Sequence, residues 1–205
     1  MTDTGKAEGA RFAAVIAAID AVNGEDPSLE SHDGCSHPAA LLYGQRMSTW
    51  LLRLEPDASE ILRLAARAQH IARWRIPRSD FPEGRDGYLA WRTHLAVFHG
   101  ETAGALMRDA GYSEDAVARL KTLLQKRGLK RDGEVQALED AACLVFLEHH
   151  FAAFAAKHPD DKVLDILKKT AAKMSSSGLA AAAQLVPQLP ERAQGLIGRA
   201  LGGRP

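Results

Sequence analysis

Residues 134–151 read EVQALEDAACLVFLEHHF, Glu134 to Phe151. At the helical period Val135, Leu138, Ala142, Val145 and Phe146 share one side, while Ala141, Leu144 and Phe151 fill the back. No wide polar face is left, and a helix apolar all round belongs inside a domain. Glu139, Asp140 and Glu148 sit in this stretch all the same. An isolated buried carboxylate is costly, so each must be paired, metal-bound or protonated. The stretch therefore predicts both the helix that the fold surrounds and the place to look for a site.

A chain of 205 residues is long enough for one sizeable core, and 46% apolar composition marks it as globular. Its 26 basic and 26 acidic residues cancel, so no global field directs it to nucleic acid or to an anionic membrane. No run approaches the roughly 20 apolar residues of a membrane span. The apolar run near the start is interrupted by Asp20 and lacks a signal-peptide cleavage region. Cys35 and Cys143 lie far apart in unlike surroundings, as reduced cytosolic thiols do. The expectation is a cytoplasmic protein with no membrane partner and little affinity for nucleic acid.

Working outward, helical spacing recurs along the chain. Phe12, Val15, Ile16 and Ile19 predict a first helix over Arg11 to Val22, stopped by Gly24 and Pro27. Ser28 to His37 reads as a polar loop; its His32, Asp33, Cys35 and His37 are metal-ligand types, against the plainer reading of a solvated loop. Pro38 opens a helix to Leu54, and Asp57 with Glu60 predicts a capping box for a helix over Ala58 to Trp74. Further helices are expected from Tyr88 to Ala110, from Ser113 to Gly128, and from Asp160 or Asp161 to the turn at Ser175 to Gly178. One or two short ones follow. No strand-like alternation lasts long enough to predict a sheet. The fold class is all-α, about seven to nine helices. A helical domain over 8–175 precedes a peripheral helical extension over 176–205 with a flexible end.

No phosphate-binding loop, dinucleotide fingerprint, paired-cysteine zinc signature or nucleophile elbow occurs. Adjacent His149 and His150 diverge by about 100° on a helix and cannot chelate one ion together. A site assembled from several helices is the stronger reading. His70, His99 and Asp140 have the chemistry to hold a divalent transition metal, with Glu139 or Glu148 beside them. Arg63, Arg67, His70 and Trp74, with Arg73 at the edge, form a stripe that suits a phosphate-binding cleft, since a guanidinium is a planar fork of donors, against the plainer reading of a solvated face. The other reading of the site makes His70 and His99 hydrogen-bonded core residues and pairs the carboxylates with Arg46, Arg73 or Arg92.

The strings LLYGQRMSTWL, LAARAQHIARWRIPR, GRDGYLAWR, FHGETAGALMRDAGY and LEDAACLVFLE, in that order, resemble the domain of unknown function 4202 family over about Phe12 to Met174. More remotely, AARAQHIARW, FHGETAGALMRDAGY and LEDAACL resemble the HD superfamily of helical metal-dependent phosphohydrolases. That second resemblance implies an HD-like arrangement around the central helix. It matches His99 to a metal histidine and Asp140 to the final metal aspartate. The chain departs from it where the His-Asp pair falls on Gln69-His70 and the first histidine falls near Tyr43 to Gln45. The activity implied is metal-dependent hydrolysis of a phosphorylated small molecule or nucleotide. His70, His99 and Asp140 would hold iron, manganese or zinc, Glu139 would act as base, and Arg46, Gln69, Arg73 and Arg92 would hold substrate. The alternatives are a non-catalytic ligand-binding or interaction module in which an ion-pair network replaces the metal, and an iron-dependent oxygenase of HD-like type.

Overall fold

The computed structural model describes residues 3–201, and the chain is all-α apart from one short hairpin. It divides into two compact units, Met1–Thr49 with Asp57–Arg127, and Trp50–Pro56 with Gly128–Pro205.

The first unit contains α1 (Asp3–Gly24), a hairpin of β1 (Leu29–His32) and β2 (Cys35–Pro38), most of α2 (Ala39–Leu54), α3 (Glu60–Arg67), α4 (Gly84–Asp109) and α5 (Glu114–Leu124). Helices α4 and α5 pack on each other, α3 packs on α5, and α1 touches both α3 and α4. Ile19, Met47, Leu62, Leu64, Leu95, Met107 and Leu120 are among the side chains sealed between them. The expected polar loop is the hairpin, in which Leu29 pairs with Pro38 and His32 with Cys35. Its strands are too short and too exposed to carry an apolar alternation. The usable signal was Asp33-Gly34, both with positive φ (49° and 76°), as a two-residue hairpin turn requires.

Two other details depart from expectation. Ser59, not Asp57, caps α3, accepting from the Leu62 amide at 3.2 Å. The helix expected to reach Trp74 ends at Arg67, and the chain continues through tight turns to a 3₁₀ turn at Arg73–Arg75. Ala72 adopts a left-handed conformation there (φ 50°), and its amide donates to Asn23 Oδ1 at 3.2 Å. A partner on α1 thus replaces the bond that helical continuation would have made. His70 sits on this turn, not on a helix face.

The second unit holds α6 (Gly133–Val145), a π-helical turn (Phe146–His150), α7 (Phe151–Ala156), α8 (Asp160–Lys173), α9 (Ser176–Leu185) and α10 (Glu191–Leu201). Asp132 caps α6, accepting from the Glu134 and Val135 amides at 3.0 and 3.3 Å. Leu138, Asp140, Ala141, Leu144 and Val145 are all buried, as expected of a helix apolar all round. The predicted single helix is interrupted after Val145, where the Phe151 amide bonds back to the Phe146 carbonyl. Helix α10 packs on α8, with Asp160 accepting from Arg192 and Arg199 at 3.2 and 2.7 Å. Residues 176–201 pack within this unit. The flexible end expected for it falls on 202–205, outside the described residues.

Candidate functional site

The turn after α3 and the middle of α4 bring two imidazoles together in the first unit. The rings of His70 and His99 have centroids 6.0 Å apart. Tyr43, from α2, stacks on His70 at 3.9 Å with 14° between the planes. His99 is buried, and its Nδ1 lies 2.7 Å from the Ile71 carbonyl oxygen. A carbonyl only accepts, so Nδ1 carries the proton, and in the neutral ring Nε2 is a bare lone pair. That Nε2 is buried and has no hydrogen-bond partner.

Both rings are held neutral. Burial, first, and then the nearby Arg73 and Arg92, push His99 down to about 4 against the Ile71 bond that raises it. Burial likewise drives His70 well below the usual histidine range, with Arg73, His99, Lys126 and Arg92 adding to it.

Around the imidazoles stand two guanidiniums. Arg73 lies 4.6 Å from the Trp91 ring centroid, and Arg92 donates to the Tyr88 hydroxyl at 3.2 Å. Among the described residues neither has a carboxylate partner. Burial lowers the Arg73 pKa first, and the positive charge of Arg92 lowers it further. Like charges repel, and an anion beside them relieves the repulsion.

The remaining predicted residues are placed as follows. Arg46 is buried and ion-paired with Glu30, its Nε left without a partner. Gln69 is buried, and its Oε1 has no hydrogen-bond partner. Asp140 and Glu139 belong to the second unit. Asp140 Oδ1 accepts from the Ser175 amide at 2.9 Å and from Gln136 Nε2 at 3.0 Å, and its Oδ2 accepts from the Ser175 hydroxyl at 2.5 Å. Glu139 faces Lys173 Nζ at 3.6 Å. Within their own unit Asp140 is held by a serine and a glutamine, and Glu139 faces a lysine.

Within the first unit, then, two imidazoles gather beside two guanidiniums, and among the described residues no three His, Cys, Asp or Glu side chains gather as metal ligands do. Sequence reasoning did not assign Tyr43, Tyr88 or Trp91 to the site. Trp91 and Arg92 are adjacent, and Tyr88 stands one helical turn before Arg92, a spacing that would have disclosed the aromatic support.

Residues 13–197 match the family model described as a domain of unknown function, DUF4202, and the chain belongs to that family. No curated protein and no solved structure matches it.

Proposed function

We propose that the first unit binds a phosphorylated small molecule, a nucleotide included, and hydrolyses it. The observation that carries the reading is Arg73, packed against Trp91 and near enough to Arg92 to feel its charge, with no carboxylate partner for either among the described residues. A phosphoryl group supplies the missing negative charge and accepts from both planar donor forks. His99 supports the hydrolytic part: a neutral imidazole with a free Nε2 is able to accept a proton from an attacking water, provided the substrate reaches it. An HD-like arrangement is supported by the all-α architecture and by Tyr43, His70 and His99 meeting at the positions that resemblance singles out.

Calorimetric titration of the full chain with inorganic phosphate and with a nucleoside monophosphate tests the binding. Arg73→Gln and Arg92→Gln should each weaken it by about tenfold or more, the worth of a charge-assisted hydrogen bond. Absence of binding to the unaltered protein, or binding by both variants as tight as that of the unaltered protein, overturns the reading. Release of phosphate from a panel of phosphomonoesters, lost in His99→Gln, tests the chemistry.

A second reading rests on the same Nε2, which is also a ligand-ready nitrogen. In it His99 and His70 contribute to a site for iron, manganese or zinc, serving hydrolysis or oxygen chemistry. Metal analysis of protein purified without chelator distinguishes the two. Stoichiometric metal that disappears in His99→Ala supports the second reading; protein that binds phosphate with the same affinity before and after chelation supports the first.

A further inference from the structure

The second unit carries a half-open pocket of about 350 Å³, lined by Trp50, Arg53, Glu148, Gln184, Leu185 and Gln188 among others. That volume falls in the range of small-molecule sites. A packing defect would be lined by apolar groups. Here two opposite charges share the wall without meeting.

Arg53 places its guanidinium carbon 4.9 Å from the Trp50 ring centroid and makes no ion pair among the described residues. Glu148 is positioned more firmly. Its Oε2 accepts from Trp50 Nε1 at 2.6 Å and faces His149 Nε2 at 2.9 Å, while Oε1 accepts no hydrogen bond among the described residues. Glu148 sits in the π-helical turn, a conformation that recurs at functional positions. Two carboxamides, Gln184 and Gln188, add donors and acceptors one turn apart. The indole and Leu185 supply an apolar surface.

We propose that this pocket binds a free α-amino acid, with its ammonium on Glu148 Oε1, its carboxylate on Arg53, and its side chain against Trp50 and Leu185. The charge pattern selects this class. A simple anion brings like charge to Glu148, and a simple amine leaves Arg53 unanswered. A zwitterion satisfies both, and discrimination follows from the group each competitor lacks. The inference stands on the second unit alone and is independent of the phosphate reading.

Calorimetry and Trp fluorescence of the full chain with a panel of free L-amino acids, each at about 1 mM, test it. One or a few should bind, and the decarboxylated amine and the N-acetyl derivative of the best should each bind about tenfold or more weakly. Glu148→Gln keeps an oxygen for the Trp50 indole and should weaken the amino acid and the amine, leaving the N-acetyl acid unchanged. Arg53→Met, at an exposed position, should do the reverse. No binding across the panel overturns the proposal. So does an amine that binds as well as its amino acid, or binding unaltered in Arg53→Met.

Discussion

At the scale of single residues, the protonation of His99 has a consequence for stability. In an unfolded chain the imidazole titrates near 6.5, whereas burial pushes it to about 4 in the fold. Between those values the unfolded chain takes up a proton that the folded one refuses. Stability is therefore lost as pH falls through that window, and this contribution is flat above it. For His99 alone the loss amounts to roughly 3 kcal/mol. His70 is shifted in the same direction and adds to the slope. Urea denaturation of His99→Gln between pH 7 and 4 should show a shallower decline than the parent protein, since the amide still offers a donor to the Ile71 carbonyl and takes no proton. An unchanged slope would argue against a buried neutral ring. The sequence made His99 a candidate through its surroundings on a helix. It carried no sign of the tautomer, which depends on a carbonyl 28 residues away.

At the scale of elements, Asp140 belongs to the device that starts α9. Its carboxylate holds the Ser175 amide and hydroxyl, and the same hydroxyl accepts from the Gly178 amide at 3.0 Å as the helix cap. Gly178 has to be glycine: a Cβ there would lie 2.6 Å from Asp140 Cγ. Asp140→Ala strands the part-buried donors of Ser175 and Gln136 and should cost about 1–3 kcal/mol. Gly178→Ala should cost a similar amount through overpacking. Thermal unfolding of the two variants and of their combination measures this. In the combination the clash has gone, so costs that simply add would contradict the contact. The burial of Asp140 was legible in EVQALEDAACLVF because helical period sorts apolar from polar positions. Its partner was not, because Ser175 lies 35 residues away and periodicity is silent about distant partners. The early end of α3 escaped for the same reason, since Asn23 on α1 redirects the backbone at Ala72. The local signals at Ser113 and Asp33-Gly34 correspond to a helix cap and a hairpin turn, although only the first stands beside a periodic apolar run that makes it legible.

At the scale of the molecule, the path of the chain matters more than its helix content. It enters the second unit at Trp50, leaves after Pro56 and returns at Gly128, so neither unit is a continuous stretch of sequence. A fragment beginning at 128 would lack Trp50, whose indole donates to Glu148 Oε2 at 2.6 Å. Residues 128–205 expressed alone should therefore melt broadly by circular dichroism, and a sharp transition at the full chain's midpoint would show that the short segment is dispensable. The all-α class was readable because nearly every stretch repeats apolar residues at helical spacing. The division into units was not, because no Pro- or Gly-rich linker marks the crossing at Trp50, which falls inside α2. The turn between α6 and α7 works as a phase shifter. Five residues there share one wide loop of backbone, so α7 begins out of step with the rhythm that α6 established. Removing one residue from FLEHH would restore an unbroken spiral and leave every later side chain on the face it now occupies. Phe151 and Ala155 would stay buried, and only the wide turn itself would be lost.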